Sequence, residues 1–233
     1  DESVTTNIRK RFAFDPRARL IVAASTHDPE EQMVIDAFKQ IKNSQPPYHP
    51  RLIIAPRHPE RFSEVASLLQ ASGLTWSRRS ATAQAEDREC EVVLLDTIGE
   101  LRSVYPLADV AFVGGSIAPH GGHNVLEPAA RSVCVVTGPH TYNFAAITRA
   151  MLSEDAIVQL AERAASAELG KTLHDLLSND SLRREIGRKA SQVCDRNRGA
   201  TEQTLQTIAS LLEAPKIAGE SISYPELSVT AAK

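Results

Sequence analysis

Short continuous apolar runs alternate with helical patterns along most of this chain, and that alternation constrains the fold more than any other feature. The runs are LIVAA (20–24), RLIIA (51–55), EVVLLD (91–96), DVAFV (109–113) and VCVVT (133–137), with weaker ones at LTWS (74–77) and AIVQL (156–160). Runs without polar alternation are typical of strands buried on both faces of a parallel sheet. The order of the elements predicts βαβ units and an α/β fold with a Rossmann-like, doubly wound parallel sheet.

The segments between these runs carry helix signals. Asp28 is expected to cap a helix, with Pro29 in its first turn and Glu31 three residues after the cap. Further helices are expected from near Pro59, over 143–152, over about 160–178, and over about 181–212 with a break at Gly199. We therefore expect a linker at 1–19, one domain with C-terminal helices at 20–213, and a tail at 214–233.

The composition is that of an ordinary globular chain, with 42% apolar and 24% charged residues in 233. A formal net charge of -3 gives no bulk attraction to nucleic acid or to anionic lipid. The three cysteines show neither metal spacing nor a disulfide framework, which favours a reducing compartment. No apolar run approaches the ~20 residues that span a bilayer, so we expect a soluble fragment. The N-terminus lacks a signal peptide and a starting Met, and is expected to be a cut from a longer protein.

Four loops follow predicted strands, and ligands bind at the carboxyl ends of strands in doubly wound sheets. They are STHDPEE (25–31), PRHPERF (56–62), TIGEL (97–101) and GGSIAPHGGHN (114–124). GxGxxG and GxxxxGK[ST] are both absent, which argues against a standard dinucleotide turn and a P-loop.

The glycine-rich loop is the most informative of the four. Gly115 leaves room for close backbone approach, and Gly122 precedes a helix expected from about His123 or Asn124, whose free N–H groups would favour an anion. Glu127 lies one turn further on. A nucleotide reconciles the two, because its phosphate accepts from N–H groups while its ribose diol donates to a carboxylate. Taken alone, the loop is equally compatible with turn glycines and a Glu127 that only complements the helix dipole.

The remaining polar residues give weaker signals. Arg57 could reach a phosphate or base edge, although taken alone a surface arginine before the Pro59 helix is the favoured interpretation. Helix capping explains STHDPEE, but Ser25, Thr26 and His27 could also face the cleft. His120 and His123 form an HxxH pair without a third ligand of suitable spacing, which favours hydrogen bonding over metal binding. We expect no metal, no cofactor, no cysteine nucleophile and no acid/base pair of carboxylates.

Together, the loops resemble those of one family over roughly residues 20–212. The matching motifs are AASTHxxEE, PRHPERF, DTxGEL, Tyr-x-x-AD-x-AFVGGS, GGHN-x-LEPAA, GPHTxNF and NRGAT. They are similar to those of the 3-deoxy-D-manno-octulosonic acid (Kdo) transferases of lipopolysaccharide assembly. Val125 stands where the family commonly has proline, and TTNIR (5–9) faintly matches a family segment, with Arg9 in place of its lysine.

This resemblance implies the C-terminal half of a GT-B glycosyltransferase, with CMP-Kdo in this half and the lipid A precursor in the other. It implies nucleotide contacts at Pro56, Arg57, Ile98, Gly99, Glu100, Asn124, Val125, Leu126 and Glu127. Glu127 would bind the ribose diol, and Gly115, Ser116, Gly122 and His123 would lie on the phosphate and Kdo side. The implied reaction is inverting and metal-independent.

The general base of that reaction would lie in the N-terminal half, so that this fragment alone would be inactive. The full-length protein would act at the cytoplasmic face of the bacterial inner membrane, and only that protein would contact the membrane. Two alternatives stay open: a GT-B enzyme that uses UDP-sugars, such as a nucleotide-sugar epimerase, or a non-enzymatic nucleotide-binding module.

Overall fold

A computed structural model describes residues 1–14, 18–162 and 165–213, so the expected tail at 214–233 lies outside the described residues. The strands are β1 (Ala18–Thr26), β2 (His49–Pro56), β3 (Trp76–Arg78), β4 (Val92–Leu94), β5 (Val110–Val113), β6 (Cys134–Thr137) and β7 (Val158–Gln159). The helices are α1 (Glu2–Arg11), α2 (Glu30–Asn43), α3 (Phe62–Ser72), α4 (Leu101–Val104), α5 (Leu126–Ala129), α6 (Ala145–Leu152), α7 (Ala165–Ser178) and α8 (Asp180–Glu213). Residues 1–196 form one compact unit, and those beyond belong to a second.

The seven strands form one sheet in the order β3-β4-β2-β1-β5-β6-β7, and every neighbouring pair is parallel. The chain therefore builds outward from β1 to one side and then returns to the other side with β5. This reversal places a topological switch point between the carboxyl ends of β1 and β5. All seven predicted strands and the Rossmann-like class are confirmed.

Alternate residues of each strand enter different cores, as buried strands covered on both faces require. Ile21 and Ala23 of β1 pack with α2, α3 and α7, whereas Leu20 and Val22 pack with α1 and the segment around Tyr105. A third cluster joins β5 and β6 to α5, α6 and α8. Because helices cover both faces of the sheet, the loops converge where the strands begin, at the amino edge, and where they end, at the carboxyl edge.

The N-terminal segment differs from the linker that the sequence predicts. Residues 2–11 form α1, and Ile8 and Phe12 are fully buried against the sheet. Arg11 donates to the Asp87 carboxylate at 2.7 Å and to the carbonyls of Arg78 and Arg79. Only two large apolar anchors hold this helix, so its sequence shows little apolar periodicity.

Two helix signals were wrong. α2 begins at Glu30, after Pro29 and without a side-chain cap, and the Glu31 carboxylate instead accepts from Arg61 Nε at 3.2 Å and Nη2 at 3.1 Å. The expected capping box at Asp28 is therefore absent. α8 continues through Gly199, where a break was predicted. One glycine costs a helix only about 1 kcal/mol, which does not by itself end it.

Candidate functional site

The carboxyl edge of the sheet brings together the four loops selected from the sequence. The loop after β1 lies beside the glycine loop after β5, because β1 and β5 are neighbours in the sheet. The loop after β2 joins them through Arg57, whose backbone N–H donates to the Thr26 carbonyl at 3.0 Å. These contacts place the glycine loop, His27 and Arg57 at the switch point.

The first half of the glycine loop is wrapped around one buried carboxylate. Glu30 accepts from the N–H groups of His27 and of four consecutive loop residues, Gly115, Ser116, Ile117 and Ala118, at 2.7 to 3.1 Å. Gly114 permits this approach, since a Cβ there would lie 2.7 Å from a Glu30 oxygen. The loop does form an anion-binding cradle, and the protein's own Glu30 fills it.

This arrangement changes the roles expected for Gly115 and Ser116. Both were placed on the phosphate and Kdo side, but their N–H groups already donate to Glu30. The Ser116 hydroxyl donates to the Val113 carbonyl and accepts from the Gly138 N–H, and the residue is fully buried. Neither residue has a backbone donor left for a ligand phosphate.

The second half of the glycine loop, residues 119–124, is fixed by hydrogen bonds from the segment around Tyr142 and Asn143. Gly121 and Gly122 have φ values of +89° and +75°, in the left-handed region that glycine tolerates best. The Asn143 amide donates to the His120 carbonyl at 2.9 Å, and the Tyr142 hydroxyl donates to the Pro119 carbonyl at 2.8 Å. These bonds fix the backbone that leads into the next helix.

Three unused backbone donors precede α5. Within the described part of the chain, the N–H groups of His123, Asn124 and Val125 donate to no protein acceptor. The helix itself begins at Leu126, later than predicted, and contains only four residues. A helix this short contributes little dipole, so the attraction for an anion comes from the N–H groups themselves.

Glu127 lies beside those donors, with one oxygen occupied. Its Oε1 accepts from Arg102 Nε at 3.0 Å and Nη2 at 2.9 Å, and more weakly from the Asn124 amide at 3.5 Å. Asn124 also accepts from the Leu126 N–H at 3.0 Å, which orients it. Arg102 is 76% exposed, so its ion pair with Glu127 is easily exchanged.

The TIGEL loop (97–101) has an exposed apolar side chain, Ile98, and a carboxylate, Glu100, that is held by an ion pair. Ile98 is 83% exposed, and Gly99 has a φ of +87°. The Glu100 carboxylate receives Arg79 in a two-pronged ion pair at 2.9 and 2.8 Å and also accepts from the Thr97 hydroxyl at 2.6 Å. The side chain of Glu100 is therefore structural, which leaves its backbone and the exposed Ile98 for a ligand.

Histidines from three loops cluster around His27. Its Nε2 lies 2.8 Å from His123 Nε2, so one ring donates and the other accepts. Its ring stacks on His120 at a centroid distance of 4.2 Å and meets His58 edge-on at 5.2 Å. Burial, assisted by the other histidines and Arg57, lowers the pKa of His27 to about 4, and burial does the same for His123. Both rings are therefore neutral at pH 7.

Sequence reasoning missed the roles of four residues at this edge. Glu30 resembles an ordinary acid of a first helical turn, and its partners are 85 to 88 residues away. Arg79 and Arg102 carry no local signal at all. His58 stands inside the quoted PRHPERF motif, but only the fold brings it to His27.

Other features of the described residues do not define a competing centre. No three His, Cys, Asp or Glu side chains among them are arranged to hold a metal. No described helix is long and apolar enough to cross a membrane.

A cavity of about 780 Å³ opens beside the amino end of β2, next to Lys42, Tyr48 and Arg88. It lies at the edge opposite the usual ligand edge of such sheets. Arg9 lies near Arg19 and Asp109, which also places it at the amino edge.

The parallel seven-stranded sheet, with helices on both faces and a switch point between β1 and β5, has the architecture of one Rossmann-like half of a GT-B glycosyltransferase. Solved glycosyltransferases share the fold, among them the glycosyltransferase from Rickettsia africae ESF-5, at a TM-score of 0.60 and 12% identity over 92% of this chain and 53% of that one. At that identity, the likeness shows the fold alone. No protein-family model matches the chain.

Closer relatives are more specific. The chain is 36% identical to the 3-deoxy-D-manno-octulosonic acid transferase of Haemophilus influenzae over 192 residues, which are 82% of the chain and 44% of that protein. It is also 36% identical to the transferase of the same name from Bordetella pertussis, over 83% of the chain and 45% of that protein. The chain thus spans just under half the length of these curated relatives.

The structural match covers a whole domain. The crystal structure of the C-terminal CMP-Kdo binding domain of WaaA from Acinetobacter baumannii superposes with a TM-score of 0.73 at 32% identity, over 82% of this chain and 96% of that one. The chain therefore belongs to the Kdo transferase family and corresponds to its C-terminal domain. The resemblance inferred from the loop motifs is confirmed.

Proposed function

We propose that this chain is the donor-binding half of a glycosyltransferase that moves Kdo from CMP-Kdo to a lipid A precursor. The observation that carries the proposal is the pairing of three unused N–H groups, at His123 to Val125, with the Glu127 carboxylate one turn away. One group of donors suits a phosphate, and the acceptor beside it suits a ribose diol. The solved relative named for CMP-Kdo binding matches the same domain.

The proposed roles follow from the polar groups and surfaces of each residue that are not already used in contacts within the protein. The backbone of Ile98, Gly99 and Glu100 would meet the base, with the exposed Ile98 side chain packing against its face. Pro56 ends β2 and would flank the nucleotide, while Arg57 would approach the phosphate. Val125 and Leu126 would contribute backbone contacts beside the phosphate. Gly122, expected on the phosphate side, instead shapes the loop, because its N–H donates to the Gly115 carbonyl at 2.7 Å and a Cβ there would lie 3.2 Å from the His140 carbonyl oxygen.

The proposed chemistry is an inverting displacement at the anomeric carbon of Kdo. A base in the half that precedes this one would deprotonate the acceptor hydroxyl, and CMP would leave with the bonding electrons. This half would stabilise the negative charge on the departing phosphate through the N–H groups and Arg57, which requires no metal. The isolated chain would bind donor but transfer nothing, and the full-length protein would act at the cytoplasmic face of the inner membrane.

Calorimetric titration with CMP, UMP and UDP tests this proposal. We expect CMP to bind and both uridine nucleotides to bind at least about tenfold more weakly, because one base edge is read by fixed backbone groups. UDP binding tighter than CMP would favour the UDP-sugar alternative. A folded chain without affinity for any nucleotide would contradict the proposal and favour the non-enzymatic module.

A further inference from the structure

The histidines around His27 form a basic cluster that nucleotide binding leaves unexplained. The cluster consists of His27, His58, His120 and His123, with Arg57 beside them. Three separate loops deliver these side chains to one place. Imidazoles packed this closely provide several N–H donors, and the low pKa of His27 and His123 avoids the repulsion that fixed positive charges on those two rings would cause.

Charged groups around the cluster leave it without a nearby anionic partner. The groups that face His27 are Arg57 and His58 from the loop after β2, His120 and His123 from the glycine loop, and Glu30 from α2. Glu30 is the one acid among them, and its two oxygens accept five backbone N–H bonds. An anion entering the cluster would meet donors and Arg57, with the charge of Glu30 already compensated.

His123 belongs to both anion-binding groups at this edge. Its backbone N–H is the first of the three unused donors, and its ring is hydrogen-bonded to His27. A CMP-activated ulosonic acid has a matching property, because its anomeric carbon carries both the phosphate oxygen and a carboxylate. The phosphate and the carboxylate of such a donor are attached to the same carbon. They would therefore fit the backbone N–H groups and the histidine cluster, which meet at His123.

We infer that the histidine cluster binds the carboxylate of the donor sugar, while Arg57 and the N–H groups of His123 to Val125 bind its phosphate. This inference rests on the proposed function and names the residues that would distinguish an acidic sugar from a neutral one. A neutral sugar would lack the anion that these donors are proposed to bind.

Binding of an anion there also predicts proton uptake. The pKa of His27 and of His123 is about 4 in the free protein, and a carboxylate beside them would raise it. The complex would then hold more protons than the free protein, so affinity for the acidic donor should rise as the pH falls toward the raised pKa.

The experiment compares CMP with freshly prepared CMP-Kdo in calorimetric titrations of this chain and three variants. His58→Gln and His120→Gln are expected to weaken CMP-Kdo binding by about tenfold, the loss typical of one charge-assisted hydrogen bond, and to leave CMP binding within about twofold. Both side chains are exposed, so folding should persist. His49→Gln, exposed at the amino end of β2, is the matched control and should change neither affinity.

The outcomes separate this inference from the proposed function. Selective loss of CMP-Kdo affinity, with proton uptake measured in buffers of different ionisation enthalpy, supports the carboxylate subsite. Equal losses for both ligands, or wild-type affinities in both variants, overturn the subsite and leave the nucleotide site standing. Failure of CMP and CMP-Kdo alike to bind the wild-type chain overturns both.

Discussion

Replacing Glu30 with alanine is expected to lower the free energy of unfolding by about 4 kcal/mol, a large fraction of the stability of a typical domain. The substitution leaves five N–H groups at the switch point without their shared acceptor. Water can satisfy only some of them, because Glu30 is fully buried. Urea unfolding followed by circular dichroism measures the change.

Two companion variants show whether the carboxylate itself is responsible. Glu30→Gln keeps the volume but turns an NH₂ group toward N–H donors, and should also destabilise the chain by at least about 2 kcal/mol. Asp36→Ala, on an exposed position of the same helix, should stay within about 0.5 kcal/mol of the wild type. Formate should stabilise Glu30→Ala more than the wild type, since it can enter the emptied cradle. A loss below about 1 kcal/mol for Glu30→Ala would contradict this account.

Glu127→Gln is expected to abolish discrimination between CMP and 2′-deoxy-CMP. With the carboxylate present, the ribose diol donates to a charged acceptor, and we expect CMP to bind at least about tenfold more tightly than its deoxy analogue. The glutamine is nearly isosteric but uncharged, so the two ligands should bind it with similar affinities. Titrations of the wild type and of Glu127→Gln with CMP and with 2′-deoxy-CMP give the coupling energy between the Glu127 carboxylate and the ribose 2′-hydroxyl.

Arg102→Gln provides the control for that result. Arg102 pairs with the same carboxylate, but the arginine is exposed to solvent, so the ion pair is weak. The variant should therefore retain the preference for CMP, or bind it slightly more tightly. If Glu127→Gln instead weakened both ligands by the same factor, the residue would act through loop shape rather than through the ribose.

The sheet was predictable because burial dominates the composition of its strands. Runs such as RLIIA and DVAFV contain no polar alternation, and both became central strands covered on two faces. The position of the candidate site followed from the same pattern, since parallel strands direct their following loops to one edge. The loop motifs then pointed to the family without further structural knowledge.

Other features depended on contacts between residues far apart in the chain. Glu30 fills an anion cradle built by residues 115–118, a role that no local pattern around it indicates. α5 is far shorter than the helix expected from Asn124, because the chain turns into β6 after Ala130. Ile8 of α1 and the following Phe12 are buried, and Arg11 donates to partners that lie 67 to 76 residues away along the chain.

Backbone amide NMR during a CMP titration tests the central claim most directly. The account predicts that the largest shifts occur at the amides of 98–100 and 123–127, with smaller changes at Arg57. The amides beside the cavity at the opposite edge, such as Lys42 and Arg88, should stay unchanged. If saturating CMP shifted only the amide signals beside that cavity and left those at the carboxyl edge unchanged, the donor-site account would be contradicted.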